Sequence, residues 1–182
     1  MLARYLTLFM LLCGLTVNAG EDDLSLNQYL WILNQLTPEI HNVGIIVPSE
    51  FMADKANLQK ISNTAKALNQ EAAFSPVSDI KEVAACFQGL QREIKVQAVI
   101  VLLGNDALNH SVSKEYLIKN CVLGKVVLLT VGGDWTGGGA LMSVSKQADG
   151  IVAVNVNAKT YRALKLNFPE ALSPKLQVQM SE

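Results

Sequence analysis

Two histidines, three cysteines and a formal net charge of −1 leave this 182-residue chain poor in the groups that ordinarily do chemistry. With its charges nearly balanced, it has no basic surplus to hold nucleic acid or an anionic membrane. His41 and His110 stand outside any H-E-x-x-H spacing, so no zinc site is indicated. No G-x-S-x-G elbow marks a serine nucleophile. Neither G-x-G-x-x-G after the first strand nor a glycine loop ending in Lys-Ser or Lys-Thr marks a nucleotide site. Charged residues make up 17 %, below the usual quarter, yet half the chain is hydrophobic, which excludes a disordered polyelectrolyte. The expectation is a folded protein that is not an enzyme and carries no cofactor and no metal.

Part of the hydrophobicity belongs to the N-terminus. Residues 1–19 hold one charge, Arg4, and no acid. An apolar run follows, including Leu6, Leu8, Phe9, Met10, Leu11 and Leu12. Val17 and Ala19 place compact residues at the −3 and −1 positions of a cleavage site. This is the grammar of a secretory signal, and the run is too short for a comfortable membrane span. The expectation is a cleaved signal peptide over 1–19 and one periplasmic domain over 20–182. The domain keeps Cys86 and Cys121. An oxidising compartment permits a disulfide between them, and two buried free thiols are the alternative.

Along the chain, Leu26, Leu30, Leu33 and Leu36 recur at helical spacing and stop at Thr37 and Pro38. Residues 43–47 are a β-rich apolar run closed by Pro48. Helices are predicted around Leu58 to Leu68 and after the capping pair Asp79 and Glu82. A weaker strand lies at 72–74. Residues 96–103 and 126–131 are continuous apolar runs, as strands buried on both faces require. A helix over 112–121 with Gly124 as its stop lies between them. A glycine-rich loop follows at 132–139, read as a flexible edge loop. Strands at 141–144 and 151–156 turn at Asp149 and Gly150, and Asn157 caps a last helix. This alternation predicts an α/β fold: a three-layer sandwich with a mostly parallel sheet flanked by helices.

In open α/β sheets ligands bind beyond the carboxyl ends of the strands. That rule selects three loops and, in them, Ser49, Asn105, Asp106, Asp134 and Trp135 as candidate ligand-binding residues. A hydroxyl, an amide and carboxylates beside an indole suit a small polar or aromatic-stacked ligand. Trp135, flanked by glycines, is the candidate least easily explained by packing. The competing reading is that these are ordinary turn and N-cap residues.

LNQLTPEI at 33–40 with VGIIVP at 43–48 resembles the entry to one lobe of the ABC-transporter substrate-binding proteins related to tryptophan-uptake receptors. KVVL at 125–128, GAL at 139–141 and VNVNAKT at 154–160, with Pro169, are similar to later parts of that lobe. The resemblance implies one lobe of a type I periplasmic binding protein, holding a small-molecule ligand at the strand-end loops and serving an inner-membrane transporter. Receptors of this type close two lobes on their ligand, and a homodimer could rebuild such a cleft from two chains. GGG at 137–139 and NVNA at 155–158 are also similar to the ending of small periplasmic regulators (YfiR-like). That resemblance implies control of an inner-membrane sensor or diguanylate cyclase.

Overall fold

The structure, a computed structural model, describes residues 24–147 and 150–182. The signal segment 1–19 and Asp149 lie outside the described residues.

The first helix, α1 (Leu26–Leu36), starts where the backbone N–H of Ser25 donates to Gln28 Oε1 at 2.8 Å. It ends where Thr37 Oγ1 donates back to the Leu33 carbonyl at 2.8 Å, just before Pro38. Strand β1 (Asn42–Pro48) follows, buried from Val43 onward. Then come α2 (Lys55–Ala67), β2 (Glu71–Val77), α3 (Ile80–Gly89), β3 (Ala98–Leu102) and the single-turn α4 (Asp106–Asn109). The chain continues with α5 (Ser111–Gly124), β4 (Val127–Val131), β5 (Met142–Lys146), β6 (Val152–Asn157), α6 (Ala158–Leu164) and β7 (Leu176–Ser181). The strands form a seven-stranded sheet in the order β2-β1-β3-β4-β5-β6-β7. Neighbours run parallel except β5 and β6, which are antiparallel.

Alternate residues of the central strands feed two separate cores. Val43, Ile45, Ala98, Ile100, Val127 and Leu129 face one core with Leu30 and Leu33 of α1 and Ile61 of α2. Ile46, Val99, Val101 and Leu128 face the other with Phe87 of α3 and Leu117 of α5. Both faces of β1, β3 and β4 are therefore covered by helices, which is why these strands are apolar throughout. The architecture is the expected three-layer α/β sandwich. No described helix is long and apolar enough to cross a membrane.

The caps follow local chemistry. Glu82 Oε2 accepts from the backbone N–H of Ser78 at 2.7 Å and of Asp79 at 3.2 Å, and Asp79 accepts from Lys81 N at 2.9 Å. Asn157 Oδ1 accepts from Thr160 N at 2.8 Å to start α6. The stop of α5 differs from expectation by one residue. Gly124 stays helical, and Lys125 takes the left-handed conformation at φ 55°. Two elements were not anticipated, α4 and β7. The latter pairs with β6 and extends the sheet.

The permitted disulfide is absent, and both thiols are free. Cys86 Sγ donates to the Pro76 carbonyl at 3.2 Å, toward the β2 edge. Cys121 is packed inside the second core, 1 % exposed, and burial pushes its thiol well above the usual range. The two groups are thus committed to different surroundings on neighbouring helices. In the native protein Cys86 should alkylate while Cys121 stays protected, because a buried neutral thiol is inert. Peptide mapping after unfolding without reductant should find both labelled; a linked Cys86–Cys121 peptide would contradict this.

Gln70, at the entry to β2, is 3 % exposed, and neither Nε2 nor Oε1 finds a hydrogen-bond partner among the described residues. A buried amide in that state costs about 1–3 kcal/mol. Gln70→Met, of similar shape, is expected to stabilise the fold by about 1 kcal/mol. The measurement is the urea midpoint at unchanged slope, and a lower midpoint would show that the amide is satisfied.

Candidate ligand-binding site

Strands β4 and β5 are parallel, with Leu129 opposite Met142 and Thr130 opposite Ser143. The register ends there, at the carboxyl edge, and the connection over 132–141 lies across the gap. Gly132 opens it at φ +83°, and an added Cβ would sit 3.2 Å from the Leu103 carbonyl oxygen. Both facts call for glycine. Thr130 Oγ1 donates to the Gly133 carbonyl at 2.7 Å. Asp134 Oδ1 accepts from Thr136 N at 2.8 Å and from Thr136 Oγ1 at 2.5 Å, folding the chain into one turn of 3-10 helix at Thr136–Gly138. Asn157 Nδ2 donates to the Thr136 carbonyl at 2.9 Å, and Thr160 Oγ1 donates to the Gly139 carbonyl at 2.8 Å. The expected flexible edge loop is therefore corrected. It is an interior crossover, tied to β6 and α6 by side-chain hydrogen bonds.

Where β4 and β5 part, a cleft of about 500 Å³ opens. Gly132, Gly133 and Asp134 line one side, Ser143 and Ser145 of β5 the other, with Asn155 of β6 beyond and Tyr29 of α1 beneath. A shallower depression of about 430 Å³ continues past Asp134 and Asn155 over the glycine turn. Desolvation pushes the Asp134 carboxyl up. Hydrogen bonds from the Thr136 side chain and backbone and from Ser143, with the charge of Lys114, outweigh it and hold the group below the ordinary carboxylate range. The cleft therefore presents an ionised carboxylate already engaged by Thr136 and Ser143, the side chain of Lys146, hydroxyls and an amide in one place. That arrangement can hold a polar ligand by hydrogen bonds. No group of three or more His, Cys, Asp or Glu among the described residues is placed to hold a metal ion.

Of the residues selected from sequence, Asp134 lines this cleft. Trp135 next to it does not behave as an exposed contact: its side chain is 5 % exposed and packed in the second core. Lys114 Nζ lies 6.0 Å from its ring centroid, and this indole plugs the underside of the crossover. Ser49, Asn105 and Asp106 sit at the ends of β1 and β3, away from the cleft. Ser49 Oγ accepts from Ser78 Oγ at 2.5 Å. Asn105 caps α4, accepting from Leu108 N at 2.9 Å, and its Nδ2 donates to the Val77 carbonyl at 2.9 Å. Asp106 is exposed in the first turn of α4. Turn and cap duties account for Ser49 and Asn105, the competing reading offered above. His110 likewise caps α5, its Nδ1 accepting from Val112 N at 3.2 Å.

Sequence reasoning missed Ser143, Asn155 and Tyr29. Ser143 and Asn155 are direct cross-strand partners. Each is a polar residue set between apolar ones in its strand, and that interruption was the readable signal. Tyr29 falls on the buried face of α1 and lines the cleft.

Comparison with known proteins locates the fold. No family model matches the chain, and no curated protein matches it. Several solved structures do. A conserved domain protein from Vibrio cholerae superposes with a TM-score of 0.68 at 13 % identity, over 87 % of this chain and 61 % of that one. An ABC domain in complex with L-Trp from Streptococcus pneumonia gives 0.63 at 16 %, over 80 % and 57 %. A ligand-free, open substrate-binding protein with adhesive properties from Clostridium difficile gives 0.63 at 13 %, over 88 % and 61 %. The chain thus has the α/β fold seen in substrate-binding proteins and spans about three-fifths of the length of these structures.

The contrast between neighbours in the crossover is testable by stability. Trp135→Ala should cost about 3–5 kcal/mol, as for a buried aromatic. Asp134→Asn keeps the Oδ1 acceptor and should stay within about 1 kcal/mol. Comparable losses in both, by denaturant unfolding, would contradict the assignment of Trp135 to packing and Asp134 to the cleft.

Proposed function

We propose that the chain is a single-lobe binding module, exported through the signal at 1–19, that holds a small molecule with a cationic or donor-rich head against Asp134. The observation that carries this reading is the ionised carboxylate set in a polar cleft between two parting strands at the carboxyl edge. Its position suits the general rule for ligand sites on open α/β sheets. The likeness of fold to substrate-binding proteins, one of them in complex with L-Trp, supports binding over catalysis. A transporter or sensor of the inner membrane is the partner to which such a periplasmic module would report.

A second reading is regulatory. The chain spans about three-fifths of its structural neighbours, and the cleft is open to solvent among the described residues. A second copy or an inner-membrane sensor or diguanylate cyclase would then serve as the facing surface.

A thermal-shift series with simple primary amines tests the first reading. A ligand of the native state raises the midpoint with the logarithm of one plus its concentration over its Kd. The wild type should respond and Asp134→Asn should lose at least about tenfold in affinity, the scale of a charge-assisted hydrogen bond. The pH dependence has a defined sign. Because the Asp134 carboxyl titrates below the free value of ~3.9, amine binding persists through that value and is lost only as pH falls further. Equal responses in wild type and Asp134→Asn would refute Asp134 as the anchor.

A further inference from the structure

The two edges of the sheet differ in what they offer a further strand. Along an edge strand in a parallel ladder the residues alternate: one bonds its neighbour through both backbone groups, and the next turns both away. At the β2 edge Glu71 N donates to the His41 carbonyl, so Ala72, Phe74 and Pro76 turn their backbone groups outward. Pro76 has no N–H, and its carbonyl accepts from Cys86 Sγ at 3.2 Å. Edge prolines close a sheet to further pairing in this way. Strand β7, at the other edge, has no such device. Leu176–Ser181 contains no charge, no proline and no glycine. Val152 N donates to the Lys175 carbonyl at 2.9 Å, which commits Gln177 and Gln179 to β6. The backbone groups of Val178 and Met180 and the Leu176 carbonyl therefore point away from the sheet. Leu176 N is held locally by the Ser173 carbonyl at 2.9 Å. Beside this open ladder the Met180 side chain is 52 % exposed.

We propose that β7 is the pairing edge of a homodimer, in which a second copy adds its own β7 antiparallel about a two-fold axis at Val178. The strand is complementary to itself in that register. Val178 exchanges both backbone hydrogen bonds with the partner's Val178, and Met180 N donates to the carbonyl of the partner's Leu176. Opposed side chains share a face. Met180 then covers the partner's Leu176, which with Val178 belongs to the first core, and Gln177 meets the partner's Gln179. Charge sets the direction. Lys175 and Glu182, both exposed, flank the strand at its two ends. Antiparallel pairing brings Lys175 beside the partner's Glu182 at both ends, whereas in-register parallel pairing would bring like beside like. Such an edge joins two sheets into one and needs nothing from the Asp134 cleft, so it stands or falls apart from the ligand reading.

The test is sedimentation velocity of the purified protein at concentrations up to about 1 mM, because one strand pair makes a small interface. A monomer–dimer equilibrium is expected. Val178→Pro removes an outward N–H and no bond to β6, and Met180→Lys puts a charge into the seam. Each should weaken the dimer at least about tenfold, as edge prolines and edge lysines block strand addition. If Val178→Pro does not fold, Met180→Lys, at an exposed position, gives the same reading. At low salt Lys175→Glu and Glu182→Lys should each weaken the dimer about threefold, and the double variant should recover it. A protein that stays monomeric at every concentration overturns the proposal. A dimer indifferent to Val178→Pro and Met180→Lys also overturns it, and would place the contact elsewhere, such as the outer side of α5 where Val112 and Leu123 are exposed. Single charge variants without effect, or a double variant without recovery, overturn the antiparallel register.

Discussion

The parallel pairing of β4 with β5 is the constraint on which the rest of the molecule turns. Parallel neighbours are usually joined by a dozen or more residues, most often a helix. Here the connection over 132–141 makes the crossover with one turn of 3-10 helix. A path that short needs a left-handed glycine at its start, a carboxylate to fold the turn, a large ring to fill the space beneath it and donors to tie it down. Gly132, Asp134, Trp135, Asn157 and Thr160 supply these. The same geometry lets the ladder stop after Thr130 and Ser143, and the polar cleft is the space that remains.

The sheet explains why function gathers at this edge. Its central strands are buried on both faces, so neither face offers polar groups to a ligand. Polar side chains survive where strands end or diverge. At β1 and β3 the groups Ser49 and Asn105 are consumed by loop-to-loop hydrogen bonds. At β4 and β5 Asp134, Ser143 and Asn155 also make hydrogen bonds within the crossover and its neighbours, yet they line an open cleft, with an apolar cavity adjoining it toward β1. The fold is that of substrate-binding proteins, but this chain provides about three-fifths of their length. A ligand here would be held by one sheet edge.

Much of this order was legible in the sequence, and for identifiable reasons. Strands β1, β3 and β4 were evident because double-sided burial leaves an uninterrupted apolar run. The caps at Asp79 and Asn157 were evident because capping is local chemistry within three residues. What could not be read was set by distant packing. The glycines around Trp135 suggested exposure, whereas α5 and the sheet close over the ring. Strand β7 alternates Leu176, Val178 and Met180 with glutamines, a period of two too weak without knowledge of its neighbour β6. The Ser143 and Asn155 pair exists only in the β5–β6 register. Cys86 and Cys121 form an even count, but the directions of their side chains are a property of how α3 and α5 sit on the sheet.

The most direct test of the central claim is a map of backbone amide chemical shifts in the labelled protein on titration with methylamine, a simple primary amine. The account predicts that the perturbed amides centre on Gly132, Gly133, Asp134, Ser143 and Asn155, while His41, Gln70 and Gln97 at the opposite edge of the sheet stay still. Perturbations centred on that opposite edge, or on β7, would contradict it.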